Sequence, residues 1–94
     1  MPRVIIHHSV NDFEQWKKAY VEHESDRKTA GFTKSRIFQK IDNPNHVTVQ
    51  LDCGDIETAK TFMQSDGLAD VMQKAGVTSV PIVYFLNDGQ TFDN

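Results

Sequence analysis

His7 and His8 are adjacent near the start of the chain. Imidazole titrates near neutrality, so either ring can act as a general base. Neighbours on an extended strand point to opposite faces, so the two cannot chelate one metal together. One of them is expected to enter a pocket. The plainer expectation for each is a hydrogen-bonded structural histidine.

A second set recurs at helical spacing: Phe13, Trp16, Tyr20, His23 and Arg27. Three aromatic rings followed by an imidazole and a guanidinium could hold a flat, acidic or phenolic ligand. The rings of Trp16 and Tyr20 would stack on it, while His23 and Arg27 would supply charge or move a proton. The competing expectation is an ordinary amphipathic helix, with the aromatics in the core and His23 and Arg27 solvated.

Other candidates lie on strand-like segments. Arg36 and Phe38 share one face of a predicted strand, and Thr48 and Gln50 share the polar face of the next. If those sides join, they form a polar and aromatic lining suited to a ligand, or a subunit contact. Tyr84 could donate a phenolic hydrogen bond, or serve only as a strand-favouring residue. Cys53, the one cysteine, has the parity of Val47, Val49 and Leu51 and is expected in the core. The spacing of His7, His8, His23 and His46 matches no recognised metal-ligand set. No glycine-rich phosphate loop and no nucleophile elbow is present.

Composition narrows the function classes. The chain has 94 residues, 13 acidic and 10 basic. That length is one domain, 1–94, and a small one that buries a limited share of its surface. No disulfide framework can supplement that core, so self-association is a natural source of extra burial. Lys and Arg are scattered without a phosphate-binding stripe, which argues against nucleic acid. No apolar run reaches membrane-spanning length. The N-terminal residues pass straight into a strand-like pattern, without the long apolar centre of a signal peptide, and the lone cysteine suits a reducing compartment. The expected location is cytoplasmic.

The elements that must position these residues are legible in order. Arg3 to Ser9 reads as a strand. Asn11 is expected to cap a helix, with Glu14 in the reciprocal capping-box position, and Gly31 to stop it. Thr33 to Ile41 and His46 to Cys53 read as a hairpin around an Asp42-Asn43-Pro44-Asn45 turn. The second of these strands alternates cleanly, with Val47, Val49, Leu51 and Cys53 on one side. Asp55 caps a helix that Ser65-Asp66-Gly67 interrupts and Gly76 ends. Ser79 to Leu86 reads as a last strand. Pro81 within it points to a sheet edge. Residues 87–94 read as a polar, loose tail.

The order is βαββαβ, the ferredoxin-like α+β arrangement. Right-handed crossovers would put both helices on one face of a four-stranded antiparallel sheet. The first and last strands carry apolar residues on both faces, so the uncovered face also needs a cover. A second copy of the chain is the expected one.

Particular stretches resemble a known family. His8-Ser9-Val10-Asn11-Asp12-Phe13-Glu14-Gln15-Trp16, Ala30-Gly31-Phe32, Asp42 to Val47 and Pro81 to Leu86 are similar to the dimeric α/β-barrel superfamily, within it to antibiotic biosynthesis monooxygenase-like or cyclase-like proteins. The resemblance covers roughly residues 3 to 86 and implies a homodimer whose two sheets meet in a barrel. It also implies a pocket between sheet and helices, or in the barrel mouth, and favours His8 over His7 as the functional imidazole. Members of the superfamily include oxygenases that act on polycyclic phenols without a cofactor, haem-degrading enzymes and lactone isomerases. The haem-degrading members use an Asn, Trp and His set that this chain does not reproduce in order, so no cofactor is expected. The implied function is cofactor-independent monooxygenase or cyclase-like chemistry on an aromatic or polyketide-like molecule. The alternative is a non-catalytic binding or stress-associated dimer.

Overall fold

A computed structural model describes residues 1–94. In chain order its elements are β1 (Arg3–Ser9), α1 (Phe13–Glu22), α2 (Glu24–Thr29), β2 (Phe32–Lys40), β3 (Asn43–Cys53), α3 (Ile56–Met63), α4 (Asp66–Lys74) and β4 (Ile82–Leu86). The four strands form one antiparallel sheet in the order β2-β3-β1-β4. This is the expected ferredoxin-like α+β fold, with each helical segment divided in two.

Strand parity assigns the faces. Val4, Ile6 and His8 on β1, and Val47, Val49, Leu51 and Cys53 on β3, are buried. They form the core with Trp16, Phe32, Ala59 and Ala75, and Val83 and Phe85 of β4 pack against it. The residues of opposite parity lie on the other face. There Arg3, Ile5 and His7 are flanked by Asp52, Gln50 and Thr48 on one side and by Leu86, Tyr84 and Ile82 on the other. Arg36 and Phe38 of β2 lie beside Gln50 and Thr48, so the two strand sides do join. Phe38, Ile82, Tyr84 and Leu86 are exposed on this open face.

Several boundaries differ from the sequence expectation, each for a local reason. Asp12, not Asn11, caps α1: it has extended backbone and its carboxylate accepts from the Gln15 N–H. Asn11 instead ties β1 to the end of α4 through its N–H and the Gly76 carbonyl. The Phe13 N–H, one of the unpaired donors at the helix start, is taken by the Asn45 side chain at 3.0 Å. The long first helix breaks at His23, whose φ of −99° and ψ of 19° leave the helical region.

The hairpin turns at Ile41 and Asp42, and Pro44 belongs to β3. The ladder steps from Gln39↔Val47 to Lys40↔Asn43, so Pro44 falls in an irregularity where no N–H is demanded of it. β4 starts at Ile82 rather than Ser79 and is an edge strand, with Pro81 just outside it. Residues 87–94 form neither helix nor strand, and Asp88 pairs with the N-terminal ammonium.

Gly31 and Gly76 end their helical segments with φ of 91° and 89°. Only glycine takes that conformation without a Cβ penalty. No atom lies within 4 Å of a Cβ built at Gly31, so an alanine there meets strain and no clash. Gly31→Ala should therefore lower the unfolding free energy by about 1 kcal/mol or slightly more. Urea denaturation measures it, and an unchanged midpoint would contradict the assigned backbone geometry.

Candidate functional site

His8 sits near the end of β1 with its side chain on the helix-covered face, 3% exposed. Its Nδ1 is buried without a hydrogen-bond partner. Burial is the main cause holding its pKa below 6.5; the approach of the ring to its own backbone opposes this, and His46 and His7 reinforce it. The ring is therefore neutral at pH 7. A neutral imidazole carries a free lone pair and is a base rather than an acid.

Four residues of the first helical segment extend outward from His8. Trp16 packs edge-on at a ring-centroid distance of 5.5 Å. Tyr20 stacks on Trp16 at 5.1 Å with the planes 29° apart. The Arg27 guanidinium lies 3.5 Å from the centre of the Tyr20 ring and donates to the Tyr20 carbonyl at 2.6 Å. His23 stands at the break between α1 and α2, its Nδ1 3.1 Å from an Asp26 carboxylate oxygen.

The break gives this row its form. Residues seven apart in a straight helix are separated by about 10 Å along the axis. The break at His23 lets Arg27 close back onto Tyr20. Burial keeps the Tyr20 phenol protonated by raising its pKa, against smaller opposing effects of the Ser35 hydroxyl and the Arg27 charge. The phenolic oxygen is buried, and no neighbouring atom meets full hydrogen-bond geometry with it.

All five of these residues line one cavity of about 760 Å³ between the sheet and the helices. Its opposite wall is apolar: Phe62 and Met63 come from α3, and Leu68, Val71 and Met72 from α4. The size is that of a small-molecule pocket, and the lining has the usual composition of apolar wall plus a few polar groups. The unpaired Nδ1 of His8 and hydroxyl of Tyr20 are costly in a structural core, at about 1–3 kcal/mol each. Such atoms concentrate where a ligand or a reaction uses them.

The structure brings His8, Trp16, Tyr20, His23 and Arg27 together and leaves Arg36, Phe38 and Tyr84 elsewhere. Those three lie on the open face with His7, whose Nδ1 is 2.8 Å from the Thr48 hydroxyl and whose ring meets Tyr84 edge-on at 6.2 Å. Arg36 lies 5.7 Å from the centre of the Phe38 ring. Cys53 is fully buried, its thiol pKa raised by burial first and then by Asp52 and Asp55. That disfavours the reactive thiolate. No three His, Cys, Asp or Glu side chains converge on a point that could hold a metal. No helix is long and apolar enough to cross a membrane. Sequence reasoning missed the far wall of the cavity. Phe62, Met63, Leu68, Val71 and Met72 carry only the ordinary signal of an amphipathic helix.

No protein-family model and no curated protein matches the chain. Solved structures do. A proposed antibiotic biosynthesis monooxygenase from Bordetella bronchiseptica superposes with a TM-score of 0.79 at 14% identity, over 95% of this chain and 97% of that one. The chain has the fold of antibiotic biosynthesis monooxygenases. SnoaB, a cofactor-independent oxygenase from Streptomyces nogalater, superposes at 0.72 with 12% identity, over 99% and 97% of the two chains. A conserved protein from Methanosarcina mazei Go1 follows at 0.67 with 15% identity, over 94% and 92%. At these identities the likeness extends to the fold shared with antibiotic biosynthesis monooxygenases, and the chemistry must be argued from this chain's own residues.

The lowered pKa of His8 has a thermodynamic consequence. Above 6.5 His8 is neutral whether folded or unfolded and contributes no pH dependence. Below 6.5 the unfolded chain takes up the proton first, so stability falls as the pH drops. Asp55 is held below 3.8 mainly by the Thr58 hydroxyl and then the Glu57 N–H, and adds its own loss only at lower pH. Melting temperature should therefore decline between pH 7 and pH 5. His8→Phe should flatten that decline. Equal slopes in the two proteins would show that His8 is not held neutral by burial.

Proposed function

We propose that this protein is a cofactor-independent oxygenase acting on an aromatic or polyketide-like small molecule, and that it works as a homodimer. The observation that carries the proposal is the buried, neutral His8 lining an aromatic-walled cavity of about 760 Å³. The fold shared with SnoaB, named as a cofactor-independent oxygenase, supports the reaction class.

The chemistry needs an acidic substrate C–H or phenol. His8 accepts that proton, and the flat anion lies against Trp16 and Tyr20. Tyr20 keeps its own phenolic proton and, stacked on Trp16, walls the cavity beside that anion. The electron-rich anion then reduces O2 directly. For a ring CH2 flanked by aromatic carbons the balance is CH2 plus O2 giving C=O plus H2O. Two electrons leave the carbon for each oxygen atom of O2, and the proton held by His8 ends in water. His23, at the rim and oriented by Asp26, is placed to pass protons between His8's substrate and solvent.

The open face supports the dimer. Ile5, Phe38, Ile82, Tyr84 and Leu86 share it with Arg36 and His7, and no element of this chain covers it. A second sheet laid against it would bury those groups and put Arg36, Phe38 and Tyr84 inside a barrel. A reducing cytoplasm suits the single free cysteine.

Oxygen consumption with anthrone as substrate tests the reaction. The expected result is one O2 consumed per quinone formed, falling about a hundredfold in His8→Asn. Ligand binding without O2 uptake across a panel of such phenols would replace the oxygenase by a binding protein. Sedimentation should find a dimer at micromolar concentration that Tyr84→Lys weakens; a stable wild-type monomer would sink the pairing.

A further inference from the structure

We infer that the ligand of this cavity carries a carboxylate, and that Arg27 binds it while the aromatic body of the ligand lies along Tyr20 and Trp16 toward His8. The inference rests on the proposed pocket but not on any oxygenation. It narrows the substrate class from polyaromatic phenols in general to planar aromatic acids.

Arg27 is the only guanidinium or ammonium group in the cavity lining. It forms no ion pair with any carboxylate, whereas Lys17, Lys28, Lys60 and Lys74 all pair with acidic neighbours on their own helices. It is nevertheless held in place. The Tyr20 ring lies 3.5 Å beneath it and the Tyr20 carbonyl fixes one amino group. One of its five N–H donors is used in that bond, and the rest of the planar fork remains for a ligand. A pinned guanidinium loses little side-chain entropy on binding, and its fork matches a carboxylate in two parallel hydrogen bonds.

The other charged groups in the lining fit the same assignment. Asp26 is the only carboxylate there, and His23 Nδ1 lies 3.1 Å from its oxygen and engages it. His8 is neutral, and the remainder of the lining is uncharged: mostly apolar side chains, with the hydroxyls of Thr29, Thr58, Thr61 and Ser65. The cavity therefore has one positive end, at Arg27, and one basic, uncharged end, at His8. The steps between them are rings: 3.5 Å from Arg27 to Tyr20, 5.1 Å to Trp16 and 5.5 Å to His8. A flat acid with its anionic group at one edge and its acidic C–H or hydroxyl at the other satisfies both ends at once.

Trp16 is the only tryptophan and stands in the middle of this row, so its fluorescence reports occupancy. The test compares 6-hydroxy-2-naphthoate, whose carboxylate and hydroxyl lie at opposite ends of the ring system, with 2-naphthol by quenching of Trp16 at pH 7.5. Wild type should bind the naphthoate at least tenfold more tightly than the naphthol. Arg27→Gln should bring that ratio near one, and Arg27→Lys should restore part of it, since it keeps the charge without the fork. Circular dichroism confirms that each variant is folded, and Lys28→Gln, one residue along and outside the cavity, should keep the wild-type ratio. A wild-type ratio near one, a ratio unchanged in Arg27→Gln, or no quenching by either compound overturns the inference. Carboxylate preference with no O2 uptake on any phenol would leave it standing and remove the oxygenase reading instead.

Discussion

β1 runs through the middle of the sheet, hydrogen-bonded to β3 on one side and β4 on the other, and its side chains must alternate. Val4, Ile6 and His8 go beneath the helices, while Arg3, Ile5 and His7 go to the open face. A shift of one residue in its register would exchange the two sets, placing His7 in the cavity and exposing Val4 and Ile6. The fully buried Val4, opposite Leu51 of β3, makes that shift costly. A base buried under the helices is thus a by-product of the constraint that also builds the core.

Given that placement, the cavity follows from helices that do not fill the space above the sheet. Each helical segment is broken, at His23 and at Ser65, into two short helices. Buried side chains on them are few: Trp16 on α1 and Ala59 on α3. A gap of this size lined by apolar groups forfeits packing energy that a larger core residue would recover. The unpaired atoms of His8 and Tyr20 add to that loss. Departures from good packing and from complete hydrogen bonding coincide in one place, which is the pattern expected where function competes with stability.

The two histidines also show how environment separates identical groups. His7 is bonded to Thr48 on the open side, and its neighbours there are Tyr84 and Ile82. His8 has apolar walls, an indole edge and a pKa lowered by burial. The same split applies to the aromatic residues. Trp16 and Tyr20 stack within one site, whereas Phe38 and Tyr84 form part of an exposed sheet surface whose use depends on what lies against it.

Periodicity alone determined most of the fold. Period-two alternation in Val47 to Cys53, helical spacing from Phe13 onward, and glycines at 31 and 76 gave the element order, because these signals are local and each residue's partner is near in sequence. The aromatic-to-basic row from Trp16 to Arg27 was legible for the same reason. Tertiary structure decided what local signals do not contain. The helix cap lies at Asp12, whose carboxylate accepts from the Gln15 N–H, while the Asn11 backbone bonds to Gly76, far along the chain. The hairpin turn moved to Ile41 and Asp42 because the β2–β3 ladder tolerates Pro44 in an irregularity. Above all, which histidine meets the row depended on the register of β1 against β3 and β4, and the far wall of the cavity on helices that lie beyond two intervening strands. Those are choices made by packing between distant segments, and no stretch of sequence holds both partners.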